Sequence, residues 1–207
     1  MNKGVNAYIV FGEWIFKILL LNVYWFLFSC IGLFFLGVFP ATAALFATIR
    51  QDIQSNDDIK LFRSFLNHFK QSFLQSNLLG YILVGVTLLL LFNLQVLDLM
   101  EASIIHKTVA IITYILLAII VLISVFLFPI YVHYHASIFG YFKYAAIIVI
   151  GKPIHTIAML IMVATILFLY YLVPGFIPVL GISLLAYIIM RTAYSLFAPL
   201  NNEQEES

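Results

Sequence analysis

The sequence predicts an all-α integral membrane protein, a bundle of about five transmembrane helices with a basic amphipathic helix at the cytoplasmic face. Of its 207 residues, 64% are hydrophobic and 9% are charged, whereas soluble domains have roughly half and about a quarter. Five apolar runs are long enough to cross a hydrocarbon core about 30 Å thick. The uneven distribution of lysine and arginine between the connections indicates an orientation in a bacterial plasma membrane.

The five runs belong to one transmembrane domain of residues 1–200. Gly37 and Pro40 end the first run, and Val173, Pro174 and Gly175 predict a tight turn between the last two. Residues 136–150 are apolar but interrupted, so we expect an interfacial helix or an extension of the third span, with a sixth span as the alternative. The predicted spans are 14–39, 77–97, 109–131, 154–173 and 176–197.

Basic residues set the predicted orientation, because they collect in cytoplasmic connections. Five alternating spans place seven of them on one side: Arg50, Lys60, Arg63, Lys70, Lys143, Lys152 and Arg191. The other side receives Lys3, Lys17 and Lys107. The N-terminus is therefore expected outside and the C-terminus inside, with residues 201–207 as a short acidic cytoplasmic tail.

The segment Ile59–Gln75 has the pattern of a basic amphipathic helix. Asn56, Asp57 or Asp58 can cap its start. We expect it at the inner membrane surface with its aromatic face turned inward, either as a lipid anchor or as a docking surface for a cytoplasmic partner. Its aromatic face has Phe62, Phe65, Leu66, Phe69 and Phe73, and its polar stripe has Lys60, Arg63, Asn67 and Lys70.

A second aromatic segment with a lysine, YFKYAA, echoes HFKQSF of the amphipathic helix. We expect the two segments to form one platform on the cytoplasmic face. The residues predicted to contact a partner or anionic lipid are therefore Lys60, Arg63, Lys70 and Lys143. Between the first two spans, PATAALFATIR begins with a proline suited to a first helical turn, and its alanines favour close helix packing.

Several function classes are disfavoured by composition. A net charge of +1 gives no general attraction for nucleic acid, and one cysteine cannot form an intrachain disulfide or a thiol pair. Nucleophile, zinc-protease and phosphate-loop motifs are missing, and His133 and His135 point in nearly opposite directions on a helix. We therefore expect no enzymatic activity, no metal site and no cofactor.

Polar residues within the spans are few. Asn22, Asn93 and Gln95 are expected to form interhelical hydrogen bonds. The alternative is a small-molecule transporter or channel, which would require these side chains to face one cavity. No ionisable residue falls at the centre of a predicted span, which argues against a proton-coupled transporter.

Three segments in this order, GVFPATAALFATIR, LFRSFLNHFKQSFLQSNLLG and FGYFKYAAIIVIGKPIHTI, resemble the YesL family of bacterial membrane proteins of unknown function. The resemblance covers nearly the whole chain. Members are often encoded near carbohydrate-uptake and polysaccharide-degradation systems, which implies an accessory or regulatory role beside a sugar ABC transporter, with its subunits and membrane lipids as partners. The family commonly has GPATAAL where this chain has Phe39 before Pro40.

Overall fold

The computed structural model describes the backbone of residues 3–55, 59–99 and 103–205, and the side chains of residues 8–55, 59–99 and 103–194. These residues form seven α-helices and no strand, so the predicted all-α bundle is confirmed. The helices are α1 (Lys3–Ile31), α2 (Val38–Gln54), α3 (Leu61–Asp98), α4 (Ile104–His133), α5 (Ile138–Gly151), α6 (Pro153–Leu172) and α7 (Phe176–Glu205). Five of them contain segments long and apolar enough to cross a membrane: Tyr8–Ile31, Leu61–Asp98, Ile104–His133, Pro153–Leu172 and Phe176–Tyr194.

The first helix ends at Ile31. The sequence had predicted a first span that continues to residue 39, so that prediction was too long at this end. Residues 32–37 form a turn in which Leu33 and Phe34 have φ angles of 54° and 60°. A Cβ on Gly32 would overlap the backbone of Gly37, so only glycine permits this approach. The hydropathy pattern missed the turn because all six of its residues are apolar or glycine.

Helix α2 returns alongside α1, and two hydrogen bonds fix their antiparallel pairing. Lys17 Nζ donates to Asp52 Oδ1 at 3.0 Å, and Trp25 Nε1 donates to Thr42 Oγ1 at 3.0 Å. The expected close packing of α2 is confirmed, because most of its side chains between residues 40 and 49 are buried. The N-terminal part of α1 and residue 55 therefore lie at the same end of the bundle.

The predicted amphipathic segment is the first half of the 38-residue helix α3 and is not a separate helix. Its aromatic face packs against protein, although its amphipathic pattern predicted contact with the membrane: Phe65 is fully buried, and the ring centroids of Phe28 and Phe69 are 4.9 Å apart. The reason is that α1 and α2 together cover this face. Residues 56–58, predicted to cap the segment, lie outside the described part of the chain.

Helices α3 and α4 form a long antiparallel hairpin, in which Thr113 Oγ1 donates to Asn93 Oδ1 at 3.1 Å. Helix α4 runs parallel to α2, since Phe46 stacks on Phe128 at 6.2 Å and Arg50, four residues later, contacts Val132, also four residues later. We call the end at which α2 and α4 finish and α3 begins the basic end. Helix α5 starts near this end; its 14 residues reach about 21 Å, less than a bilayer core requires.

The last two helices pair through the predicted tight turn. Tyr170 donates its hydroxyl proton to the Gly181 carbonyl at 2.7 Å, where α7 is interrupted by non-helical backbone. Asn22 Nδ2 donates to the Pro178 carbonyl at 2.9 Å, and the Trp14 and Tyr187 rings meet edge to face at 5.4 Å. Helices α1 and α7 are therefore antiparallel, and α7 continues through Glu205, into the stretch expected to be a solvated tail.

Candidate binding site at the basic end

A polar cavity of about 400 Å³ lies at the basic end, between α2, the first half of α3, the last turn of α4 and the start of α5. The exposed side chains of Gln51, Gln54, Gln71 and His135 form its rim, so the cavity opens at the protein surface. It is lined by Ala43, Ala47, Arg50, Gln51, Gln54, His68, Gln71, Ser72, Gln75, Tyr131, Val132, His135 and Tyr141.

Arg50 projects from the last turns of α2, where the buried face of that helix positions it against α4. Its Nη1 donates to the Val132 carbonyl at 2.8 Å. That carbonyl is one of the last in α4, an end at which the helix dipole favours a positive charge. The Nε atom of Arg50 is buried and makes no hydrogen bond to any described residue.

Helix α3 contributes one polar face to the cavity. His68, Gln71, Ser72 and Gln75 follow the three- and four-residue spacing of a helix face. Two contacts orient the side chains of this face. Within α3, Ser72 Oγ donates to the His68 carbonyl at 2.7 Å. Between α3 and α2, His68 Nε2 lies 3.3 Å from Gln51 Oε1. Ser64 also donates to Gln51 Oε1. The amide of Gln51 is thereby oriented at the rim.

The charge distribution of this cavity is one-sided. Among the described residues that line the cavity, Arg50 carries the only formal charge, and none is an aspartate or a glutamate. Burial lowers the pKa of the Arg50 guanidinium, with Tyr194 opposing the shift, yet arginine starts so far above neutral pH that it stays protonated. The described carboxylate nearest in sequence, Asp52, pairs instead with Lys17. The cavity therefore presents positive charge and amide, imidazole and phenol groups.

The predicted contact residues on α3 are not part of this cavity. Lys60, Arg63 and Lys70 are all exposed. On a helix of 3.6 residues per turn, Arg63 and Lys70 lie roughly 130° to 150° from the middle of the face that lines the cavity. Lys143, also exposed, lines an adjacent cavity of about 550 Å³ that shares His135 with the first. The four cations are thus at one end of the bundle but not in one cluster.

The polar residues considered for a transport path are separated. Asn22 is bonded to the backbone of α7 and borders an apolar groove between α1, α6 and α7. Asn93 accepts from Thr113 between α3 and α4, and Gln95 is exposed. In the described part of the chain these three side chains do not share a cavity. Their hydrogen bonds at Asn22 and Asn93 confirm the interhelical role expected for those two.

From the sequence, Arg50 contributes only to the predicted orientation, as one of seven basic residues on one side. The cavity was missed because its walls come from four separate segments. The sequence of α3 does contain a signal, because His68, Gln71 and Gln75 repeat at helical spacing on a face directed away from Arg63 and Lys70. Polar residues on two faces of a helix within an otherwise apolar chain indicate that one of those faces meets something other than lipid.

Comparison with known proteins places the chain in a family. A family model described as "Protein of unknown function, DUF624" matches residues 18–94. The uncharacterized protein YteU of Bacillus subtilis (strain 168) is 31% identical over 185 residues, covering 89% of this chain and 82% of YteU. The chain belongs to the YesL (DUF624) family. Two further relatives from the same organism agree with this assignment.

Those relatives are also uncharacterized. YesV is 32% identical over 180 residues, covering 86% of this chain and 85% of YesV, and YesL is 28% identical over 204 residues, covering 99% and 94%. No solved structure matches this YesL-family chain. The segment matched by the family model runs from α1 through most of α3, and so includes Arg50 and the polar face of α3.

Proposed function

We propose that this YesL-family chain is a non-catalytic membrane protein that acts through a partner bound at its basic end, as an accessory or regulator of a carbohydrate ABC uptake system. The observation that carries the proposal is the exposure of Lys60, Arg63, Lys70 and Lys143 at that end. None of them forms an ion pair with a described residue. Exposed, unneutralised cations beside an apolar bundle fit a polar partner or anionic headgroups.

The identity of the partner rests on the family resemblance, which implies the subunits of a sugar importer. Arg63 and Lys70 lie two turns apart on the same face of α3, so they can meet an acidic strip on a neighbouring subunit. Lys143 on α5 extends the positive surface to a second helix. Membrane lipids surround the apolar exterior of the spans in this proposal.

We propose that the basic end faces the cytoplasm of a bacterium, in accordance with the charge bias of membrane proteins. Because α2 is antiparallel to α1, and α7 is also antiparallel to α1, both termini would then face the cytoplasm. This proposal differs from the outside N-terminus expected from five alternating spans. Lys107 is at the start of α4 and therefore lies at the end of the α3–α4 hairpin that is farther from the basic end.

The test is a pull-down of the tagged protein from its native membranes in mild detergent, followed by mass spectrometry. A variant in which Lys60, Arg63 and Lys70 are changed to Glu, and a second with Lys143→Glu, are compared with the native chain. The matched control is Lys107→Glu. Recovery of importer subunits with the native chain and the control, and their loss with the triple variant, would support the proposal. Recovery of no transporter subunit with the native chain would overturn it.

A further inference from the structure

The guanidinium of Arg50 has more hydrogen-bonding capacity than the protein uses. One N–H of its five is accounted for by the Val132 carbonyl. The Nε atom is buried and unbonded among the described residues, although buried polar groups are normally paired. The hydrogen bond to the end of α4 therefore does not account for the remaining N–H groups of the Arg50 side chain, including the one on Nε.

The residues that line the cavity beside the Arg50 guanidinium determine which charge a ligand must carry. Removing a charge from water without a counter-charge is costly, and the lining residues within the described ranges 8–55, 59–99 and 103–194 provide no carboxylate to balance Arg50. A cation would meet the same positive charge and no opposite one. An oxyanion can accept two parallel hydrogen bonds from a guanidinium edge, the geometry that makes arginine a common binder of carboxylate and phosphate.

The remaining lining residues select for polar substituents on the ligand. Gln51, Gln54, Gln71 and Gln75 offer amide donors and acceptors, which suit hydroxyl groups. The rings of Tyr131 and Tyr141 form the wall toward α4 and α5, where their centroids are 5.2 Å apart. A volume of about 400 Å³ lies within the range of small-molecule sites, roughly 300 to 1,000 Å³.

We propose that the cavity at the basic end binds an oxyanion, a carboxylate or phosphate group on a hydroxyl-bearing molecule, with Arg50 as the anchor of the anion. The glutamines of α2 and α3 bind the neutral part of the ligand. The site differs from the docking surface proposed above, since it faces the opposite side of α3 from Arg63 and Lys70. Each proposal can therefore fail without the other.

The experiment uses the full chain in nanodiscs of phosphatidylcholine, with binding followed by calorimetry. Gluconate and inorganic phosphate are the probes, and sorbitol, which has the hydroxyls of gluconate without its carboxylate, is the neutral control. A second arm adds phosphatidylglycerol to the nanodiscs and measures retained lipid by native mass spectrometry. This arm distinguishes a lipid headgroup from a free anion as the source of the oxyanion.

Two variants test the anchor, and each has a matched control. Arg50→Gln removes the charge, with Arg63→Gln as its control. Gln71→Glu places a competing carboxylate at the rim without touching the Val132 contact, with Gln95→Glu, exposed near the other end of α3, as its control. We expect each site variant to weaken the binding of an anion at least about tenfold, which corresponds to about 1.4 kcal/mol. The control variants should bind as the native chain does.

Binding of gluconate or phosphate but not sorbitol, or retention of phosphatidylglycerol, supports the proposal if both site variants lose it. Because Gln71 is exposed at the rim, its substitution should leave the melting temperature unchanged, which separates loss of the site from loss of the fold. The proposal is overturned if neither free anion nor phosphatidylglycerol binds, or if binding survives in Arg50→Gln and Gln71→Glu.

Discussion

Lys17 Nζ lies 3.0 Å from Asp52 Oδ1, which joins the middle of α1 to the last turn of α2. Both side chains are largely shielded, with 30% and 22% of their surfaces exposed. The pair locks the two helices side by side in opposite directions. It therefore fixes the position of the N-terminal half of α1 relative to the basic end. From hydropathy alone, that position could be inferred only from the number of predicted spans.

The first prediction concerns topology. In a chain with Cys30 replaced by Ser, single cysteines are introduced at Tyr8, Lys60 and Lys107 and labelled with an impermeant maleimide. Positions 8 and 60 should react from the cytoplasmic side only, because α1 and α2 are antiparallel, and position 107 should react from outside. Labelling of position 8 in intact cells together with position 107 would contradict the helix directions described above.

The second prediction concerns the ion pair itself. Asp52→Ala removes the carboxylate that Lys17 contacts at 3.0 Å, so the melting temperature in detergent should fall, by the equivalent of about 1 kcal/mol or less. The exchange of both residues, Lys17→Asp with Asp52→Lys, should recover most of the loss. Asp98→Ala, at the far end of α3 and exposed, serves as the control. Equal stability of Asp52→Ala and the native chain would show that the pair contributes nothing.

The third prediction tests whether the aromatic face of α3 is protein core. Phe65→Ala should destabilise the chain by about 3 kcal/mol, because a fully buried aromatic side chain is deleted. Phe62→Ala, on the same helix but 54% exposed, should cost less than about 1 kcal/mol. Denaturation in detergent measures both. Similar costs for the two would indicate that this face meets lipid, as the sequence pattern alone suggests.

The fourth prediction concerns the crossing of α2 and α3. A Cβ on Gly80 would overlap the ring of Phe39, so Gly80→Ala should destabilise by about 1 to 3 kcal/mol. Phe39→Ala in the same chain should relieve part of that cost. The matched control is Gly85→Ala, since a Cβ there meets nothing within 4 Å and alanine favours the helix. Additive effects of the substitutions at positions 39 and 80 would rule out the contact.

The contact between Phe39 and Gly80 also gives a structural role to the residue before Pro40, where the resemblance to the YesL family implies glycine. Phe39 places its ring edge to face against Tyr81 as well, with centroids 5.3 Å apart. A bulky aromatic residue on α2 is accommodated because α3 has glycine at the point of closest approach. The sequence contained both residues, but their adjacency depends on the antiparallel register of α2 and α3.

Hydropathy was sufficient to find the apolar helices, because an uninterrupted apolar segment as long as α4 fits few structures other than a membrane-spanning helix. It could not find the break at Gly32, since the following Leu33, Phe34, Phe35 and Leu36 are as apolar as a span. Amphipathicity located the aromatic face of α3 but could not tell lipid from protein as its neighbour. The Arg50 cavity could not be read from one segment, because residues from α2 to α5 complete it.

The turn between α1 and α2 has a consequence for how the protein is assembled. Its side chains are exposed and apolar, yet two of its carbonyls are bonded from α3: Asn77 Nδ2 donates to Leu36 at 3.0 Å and the Tyr81 hydroxyl to Phe35 at 2.6 Å. In lipid, an unbonded carbonyl costs several kcal/mol. Because α3 supplies both donors, the turn between the first two helices completes its hydrogen bonds only when α3 packs beside it, so we expect the first three helices to acquire their native structure together.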